Sequence, residues 1–219
     1  EVSIYRRVLL SELLKNSCLI LSGEDVSSLR LKEQNELAIY LSAFSDSLKT
    51  FAVIRSPYSR HCSEFAGMIG NGRSLRPTCF KSQVYKIKRL RTNFCGRGNI
   101  DEIKFIPFLR SVKSSQGPTG YLLEAMGVQN LSNFEVAFAN EGLGNEQVRR
   151  QMKLNAKGSR IIGGRADRLW RRDSKTSGKK FLLTKKELEL IMPKLLAENK
   201  WFEENLGKEY CDTSFPTCD

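Results

Sequence analysis

Apolar and polar positions alternate along this chain in blocks that read as helices and strands. Tyr5–Asn16 carries Val8, Leu9, Leu13 and Leu14 on one side at helical spacing, which predicts an amphipathic helix. Cys18–Leu21 is a short apolar run ending in Ser22-Gly23-Glu24-Asp25, which predicts a buried strand opening into a turn. Leu31–Phe44 fits a second helix, with Leu37, Ile39, Tyr40, Leu41 and Phe44 as its apolar content. Thr50–Ile54 is rich in β-formers and ends in Arg55-Ser56-Pro57. Pro57 suits the first turn of a following helix, where a missing N–H costs nothing, and that helix is expected to reach Gly67–Gly70.

Further along, Cys79–Phe94 predicts a basic amphipathic helix and Ile100–Phe108 another strand. Tyr121–Met126 predicts a short helix closed by Gly127, and Gly144–Lys157 a longer one. Residues 158–180 read as a glycine-rich basic loop. The C-terminal helix, 184–206, opens on Thr184 with Glu187 three residues on, a capping-box pair. Pro193 is expected to kink it and Gly207 to end it. Helices alternating with strands predict an α/β fold, one domain over residues 1–219, with a parallel sheet and crossover helices. Ligands of such sheets bind at the carboxyl ends of strands, and the polar clusters Ser22–Asp25 and Arg55–Ser63 fall there.

Composition narrows the class. Of 219 residues, 40% are hydrophobic and 27% charged, which excludes wholesale disorder. No apolar run approaches the roughly 20 residues that cross a bilayer, and no secretory signal is visible. The first residue is Glu1 rather than Met and a helical pattern begins almost at once, so the chain is expected to be part of a longer product. Six cysteines without a C-x-x-C pair, beside a single histidine, argue against a zinc site. Cys211 and Cys218 flank a proline-containing loop that a disulfide could close in an oxidising compartment, or they remain free thiols. The sequon Asn130-Leu131-Ser132 matters only in a secreted eukaryotic product.

The net charge of +12 is segregated. Residues 71–100 hold eight Lys/Arg and no acid, and residues 149–180 hold twelve against two, leaving the remainder net acidic. This points to a polyanionic partner such as nucleic acid, a sulfated or phosphorylated sugar, or a nucleotide, or else to a solvated basic surface. Tyr85, Phe94 and Trp170 are isolated in these segments, unlike the arrayed aromatics of single-strand binders.

The chemistry concentrates in Arg55-Ser56-Pro57-Tyr58-Ser59-Arg60-His61-Cys62-Ser63. A guanidinium fork at a strand end, with a hydroxyl two turns into the next helix, makes an oxyanion or phosphate cradle. The plainer reading is a helix cap with an incidental arginine. His61 reads as a surface or helix-packing residue.

A strand ending R-x-P, followed eight residues after the arginine by serine, resembles the 3′-phosphate site of sulfotransferases that use adenosine 3′-phosphate 5′-phosphosulfate (PAPS). Ile100–Val112 is similar to the strand that follows in that family, and Leu122-Leu123-Glu124-Ala125-Met126-Gly127-Val128 to its F-L-x-x-L-G helix end. Asn140-Glu141-Gly142-Leu143-Gly144 and the stretch Asn199–Gly207 resemble the N-E-S-L-S-like turn and N-x-W-L…F-G ending of carbohydrate sulfotransferase-like proteins. The resemblance spans residues 19–210. It implies a P-loop NTPase-like sulfotransferase fold, N-terminally incomplete. Arg55 and Ser63 would bind the 3′-phosphate of PAPS, and Glu24 would be the catalytic base that takes the acceptor hydroxyl's proton. Sulfuryl transfer otherwise needs in-line positioning and cationic stabilisation. Glu24 also reads as a turn carboxylate before the Leu31 helix. Lys157-Gly158-Ser159-Arg160 would add a phosphate contact or be solvated loop, and Phe108 stands where the family often has a tyrosine near adenine.

The family's P-K-x-G-T-like loop for the 5′-phosphosulfate does not occur, nor does a Walker sequence. The chain is therefore expected to be a truncated enzyme, inactive as it stands, or a degenerate non-catalytic relative. The implied acceptor is a carbohydrate hydroxyl, its anionic groups drawn by the basic segments. The compartment follows the source: Golgi lumen for a eukaryotic chain with a missing anchor, cytoplasm for a bacterial one. The alternative class is a nucleic-acid-binding module built on the basic segments. A nucleotide kinase relative shares the strand-end logic but equally needs the Walker loop.

Overall fold

The structure, a computed structural model, describes residues 2–16, 18–21, 24–94, 102–128, 143–157, 161–162, 165–166 and 179–218. It is a mixed α/β chain, mostly helical, with a small parallel sheet of two strands. These are β1 (Thr50–Ile54) and β2 (Ile103–Pro107). The chain divides into two compact units, Glu1–Ala52 with Tyr85–Phe105, and Val53–Val84 with Ile106–Asp219, and the division falls within both strands.

The first unit holds α1 (Val2–Lys15), a 3-10 turn at Glu24–Ser28, α2 (Leu31–Ser42) and α4 (Val84–Phe94), the last of which begins at its boundary. Ala38, Leu90, Phe94 and Ile103 form its core, with Val26, Leu48, Ala52 and Phe105 packed around them. Gln34 is fully buried yet satisfied: its amide donates to the Val26 carbonyl at 3.0 Å and accepts from Asn93 Nδ2. Arg89 donates to the Ser27 carbonyl at 2.8 Å. These two contacts from α2 and α4 hold the Glu24–Ser28 turn in place.

The second unit is built around α3 (Pro57–Gly70), flanked by α7 (Asn145–Ala156) and α8 (Lys185–Asn205). Tyr58, Cys62, Phe65, Ala66 and Ile69 line the buried stripe of α3 at helical spacing. They meet Val148 of α7, Phe181 and Leu183, and Leu188, Ile191 and Leu195 of α8. Each large apolar side chain buried this way contributes roughly 1.5–3 kcal/mol. Asn155 of α7 ties off the far end of α3 by donating to the carbonyls of Ile69 and Arg73 at 2.9 and 3.0 Å. The expected capping box opens α8: Thr184 and Glu187 exchange hydrogen bonds at 2.9 and 3.3 Å. Arg149 of α7 then grips Glu187 with both terminal nitrogens, at 2.5 and 2.6 Å. The helix continues through the exposed Pro193 and ends before Gly207, whose φ of 118° only glycine adopts readily. The unit is completed by α5 (Phe108–Lys113), α6 (Gly117–Ala125), the hairpin of β3 (Ile161–Ile162) and β4 (Arg165–Ala166), and a 3-10 turn at Lys208–Tyr210. Gly127, at φ 87°, closes α6 as its position predicts.

Two expectations are corrected. Cys18–Leu21 is not a strand: Cys18 is exposed, Ile20 and Leu21 are 44% and 49% exposed, and the polar cluster after it opens the 3-10 turn rather than ending a strand. A run of four apolar residues becomes a strand only where a neighbour supplies the ladder, and among the described residues none pairs with it. The basic helix begins at Val84 rather than Cys79, because Gln83 spends its backbone N–H on the Glu198 carboxylate instead of a helical turn.

Candidate anion-binding site

Arg55 follows the last residue of β1 and is half-buried. Its guanidinium carbon lies 3.9 Å from the centroid of the Phe108 ring, which opens α5. Burial lowers the guanidinium's pKa from its ordinary value, but an arginine side chain does not deprotonate in proteins and stays charged. No carboxylate among the described residues forms an ion pair with it. A planar cation held on an aromatic face and lacking a counter-charge suits bidentate binding of a phosphate or sulfate group.

The start of α3 is differently disposed. Asp212, from the segment after α8, places its carboxylate over the first turn: it accepts from Tyr58 N–H at 2.7 Å, Ser59 N–H at 3.4 Å and the Ser56 hydroxyl at 2.6 Å. Pro57 has no N–H, and Arg60 N–H bonds the Ser56 carbonyl at 2.8 Å. The positive end of the helix is thus neutralised by a carboxylate of the same chain. Burial raises the Asp212 pKa against the opposing pull of these three hydrogen bonds. The cradle therefore has the guanidinium as its open donor, and the helix amides are spoken for.

Around Asp212 the segment is strapped down along its length. Asn199 Oδ1 accepts from Asp212 N–H at 3.1 Å, and Cys218 N–H donates to the Leu183 carbonyl at 3.1 Å. The Phe215 ring meets Tyr58 edge-on at 5.7 Å, and the Tyr58 hydroxyl donates to the Pro216 carbonyl. Burial pushes the Tyr58 phenol up and raises the Cys62 thiol to about 11. Cys211 and Cys218 are free thiols: the first donates to the carbonyls of Asn199 and Gly207 at 3.4 and 3.7 Å, and the second lies 3.8 Å from Arg149. Of the two readings the sequence left open, the structure shows the free thiols.

Behind Arg55 lies a buried polar group that sequence reasoning missed. Glu198 of α8 is 3% exposed; its Oε1 accepts from Gln83 N–H at 2.9 Å and its Oε2 has no partner among the described residues. Desolvation raises its pKa, chiefly opposed by the Gln83 hydrogen bond. Gln83, 8% exposed, donates its side-chain amide to the Arg55 carbonyl at 2.8 Å.

The other predicted residues are placed as follows. Ser63 sits in the second turn of α3, exposed, with no protein partner among the described residues. Glu24 begins the 3-10 turn, and its side chain lies outside the described residues. His61 packs inside: it is 4% exposed, bonds the Pro77 carbonyl through Nε2 at 2.7 Å and stacks near Phe65 and Phe80. Lys157 is exposed at the end of α7, while 158–160 and the resemblance's turn at Asn140–Gly142 lie outside the described residues. Asp212, Gln83 and Glu198 are ordinary polar residues in sequence, and no spacing rule marks contacts that span 154 and 115 positions. Among the described residues no cluster of His, Cys, Asp and Glu is set to hold a metal ion, and no helix is long and apolar enough to cross a membrane. Comparison with protein-family models, with curated proteins and with solved structures finds no match to this chain.

Proposed function

We propose that this chain is the PAPS-binding portion of a carbohydrate sulfotransferase-like protein with a P-loop-type fold. Arg55 would take the cofactor's 3′-phosphate, Ser63 would assist it, and Glu24 would be the base toward the acceptor hydroxyl. The observation that carries the reading is Arg55: a half-buried cation at the carboxyl end of a parallel strand, stacked on Phe108 and left without a carboxylate partner. A cation kept from its counter-charge in that position favours an anionic ligand over a structural ion pair. Phe108, beside the guanidinium, offers a ring against which a purine could also pack.

The nucleic-acid reading has less behind it. Of the aromatics in the first basic segment, Tyr85 is 76% exposed but Phe94 is 6% exposed and belongs to the core, so α4 offers one stacking platform rather than an array.

Calorimetric titration of the chain with adenosine 3′,5′-bisphosphate tests the proposal. Saturable binding that Arg55→Ala abolishes supports it. Absence of binding, or binding that Arg55→Ala leaves unchanged, removes the assignment.

A further inference from the structure

We infer that Gln83, clamped by Glu198, is a positioning residue that fixes the Arg55 guanidinium on the Phe108 ring. The inference rests on reading Arg55 as the group that receives the anion, and it adds two residues to that site.

Arg55 lies just beyond the last residue of β1. The Gln83 side-chain amide donates to its carbonyl at 2.8 Å. That carbonyl belongs to the peptide joining Arg55 to Ser56, and the Ser56 side is already pinned: its hydroxyl donates to Asp212 and its carbonyl accepts from Arg60 N–H. Freed from Gln83, the peptide plane turns to find another donor or water. With Ser56 held, the rotation falls on Arg55 and swings its side chain away from a ring contact of 3.9 Å. Arg55 is therefore aimed by its backbone as much as by its own rotamer.

Glu198 is the second part of the device. An apolar residue at this buried position of α8 would avoid the cost of desolvating a carboxylate. The carboxylate instead accepts the Gln83 N–H at 2.9 Å, so Gln83 is held by its main chain while its side chain reaches Arg55. The next residue, Asn199, holds the Asp212 N–H at 3.1 Å. Two consecutive residues of α8 thus brace the strand-to-helix turn, Glu198 through Gln83 at Arg55 and Asn199 through Asp212 at Ser56.

The test reads Arg55 directly by NMR. Its side-chain protons, lying over an aromatic face, resonate upfield; they are assigned by their loss in Arg55→Lys and their downfield return in Phe108→Leu. Gln83→Leu, and Gln83→Asn as a milder variant that withdraws the amide by one methylene, are expected to erase the upfield shift while melting cooperatively. Glu198→Leu is expected to do the same, and Glu198→Gln, which keeps an acceptor oxygen, to restore it. Affinity for adenosine 3′,5′-bisphosphate is expected to fall about tenfold in Gln83→Leu, the equivalent of one lost hydrogen bond. An upfield shift absent from the wild-type chain, or retained in a folded Gln83 variant, overturns the inference. A wild-type chain that shows the shift and loses it in both Gln83 variants, yet binds no bisphosphate, refutes the sulfotransferase reading and leaves the positioning role standing.

Discussion

Replacing Asp212 by alanine is the most exposed test of the architecture of the second unit. The substitution removes an acceptor of two backbone N–H groups and one hydroxyl at the start of α3, at 2.7, 3.4 and 2.6 Å. Loss of a helix N-cap alone costs about 1 kcal/mol. Hydrogen bonds to a charged acceptor contribute about 1.5–3 kcal/mol each, but the 3.4 Å contact is weak and burial of the carboxylate, which raises its pKa, offsets part of the gain. The net expectation is a loss of about 2–3 kcal/mol, or roughly 4–12 °C in Tm for a chain of this size. Asp212→Asn keeps one acceptor oxygen without the charge, and is expected to lose about half as much. Urea denaturation followed by circular dichroism, with calorimetry for Tm, measures both. A loss under about 0.5 kcal/mol in Asp212→Ala, the level of an ordinary surface change, would mean that the segment does not cap α3.

Two further outcomes follow from the same unit. Arg149 holds the Glu187 pKa below its ordinary value against the cost of burial, so the pair's contribution is present above pH 4.5 and disappears as pH falls through the lower, folded-state value; Glu187→Gln is therefore expected to destabilise at pH 7 and to match wild type at the acid end, read from urea curves across pH. Burial that raises the Cys62 thiol to about 11 predicts that a thiol-specific reagent at pH 8 labels exposed Cys18 and Cys79 quickly and Cys62 only on unfolding, so rapid Cys62 labelling in the folded chain would contradict its burial.

What the sequence made legible was local. Thr50–Ile54 as a strand, Pro57 at the first turn of α3, Thr184 with Glu187 at the start of α8 and Gly127 after α6 are each set by residues within a few positions of one another. Cys18–Leu21 failed because an apolar run says nothing about whether a neighbouring strand exists to pair with it. Arg55 was visible as a strand-end cation, but its ring partner Phe108, the amide of Gln83 and the buried Glu198 were not, since those contacts depend on how distant elements pack. His61 is the instructive middle case. Its position fitted either the surface or helix packing, and the structure buries it and satisfies it with a carbonyl.

The carboxylate that completes α3 lies 154 residues further along the chain. On a ribosome emitting about 5–20 residues per second, the helix start waits roughly 8–30 s for its lid, unless other groups cover it meanwhile. During that interval its bare amides and the Tyr58 ring face water or a chaperone, so translation speed across α4 to α8 becomes a lever on yield.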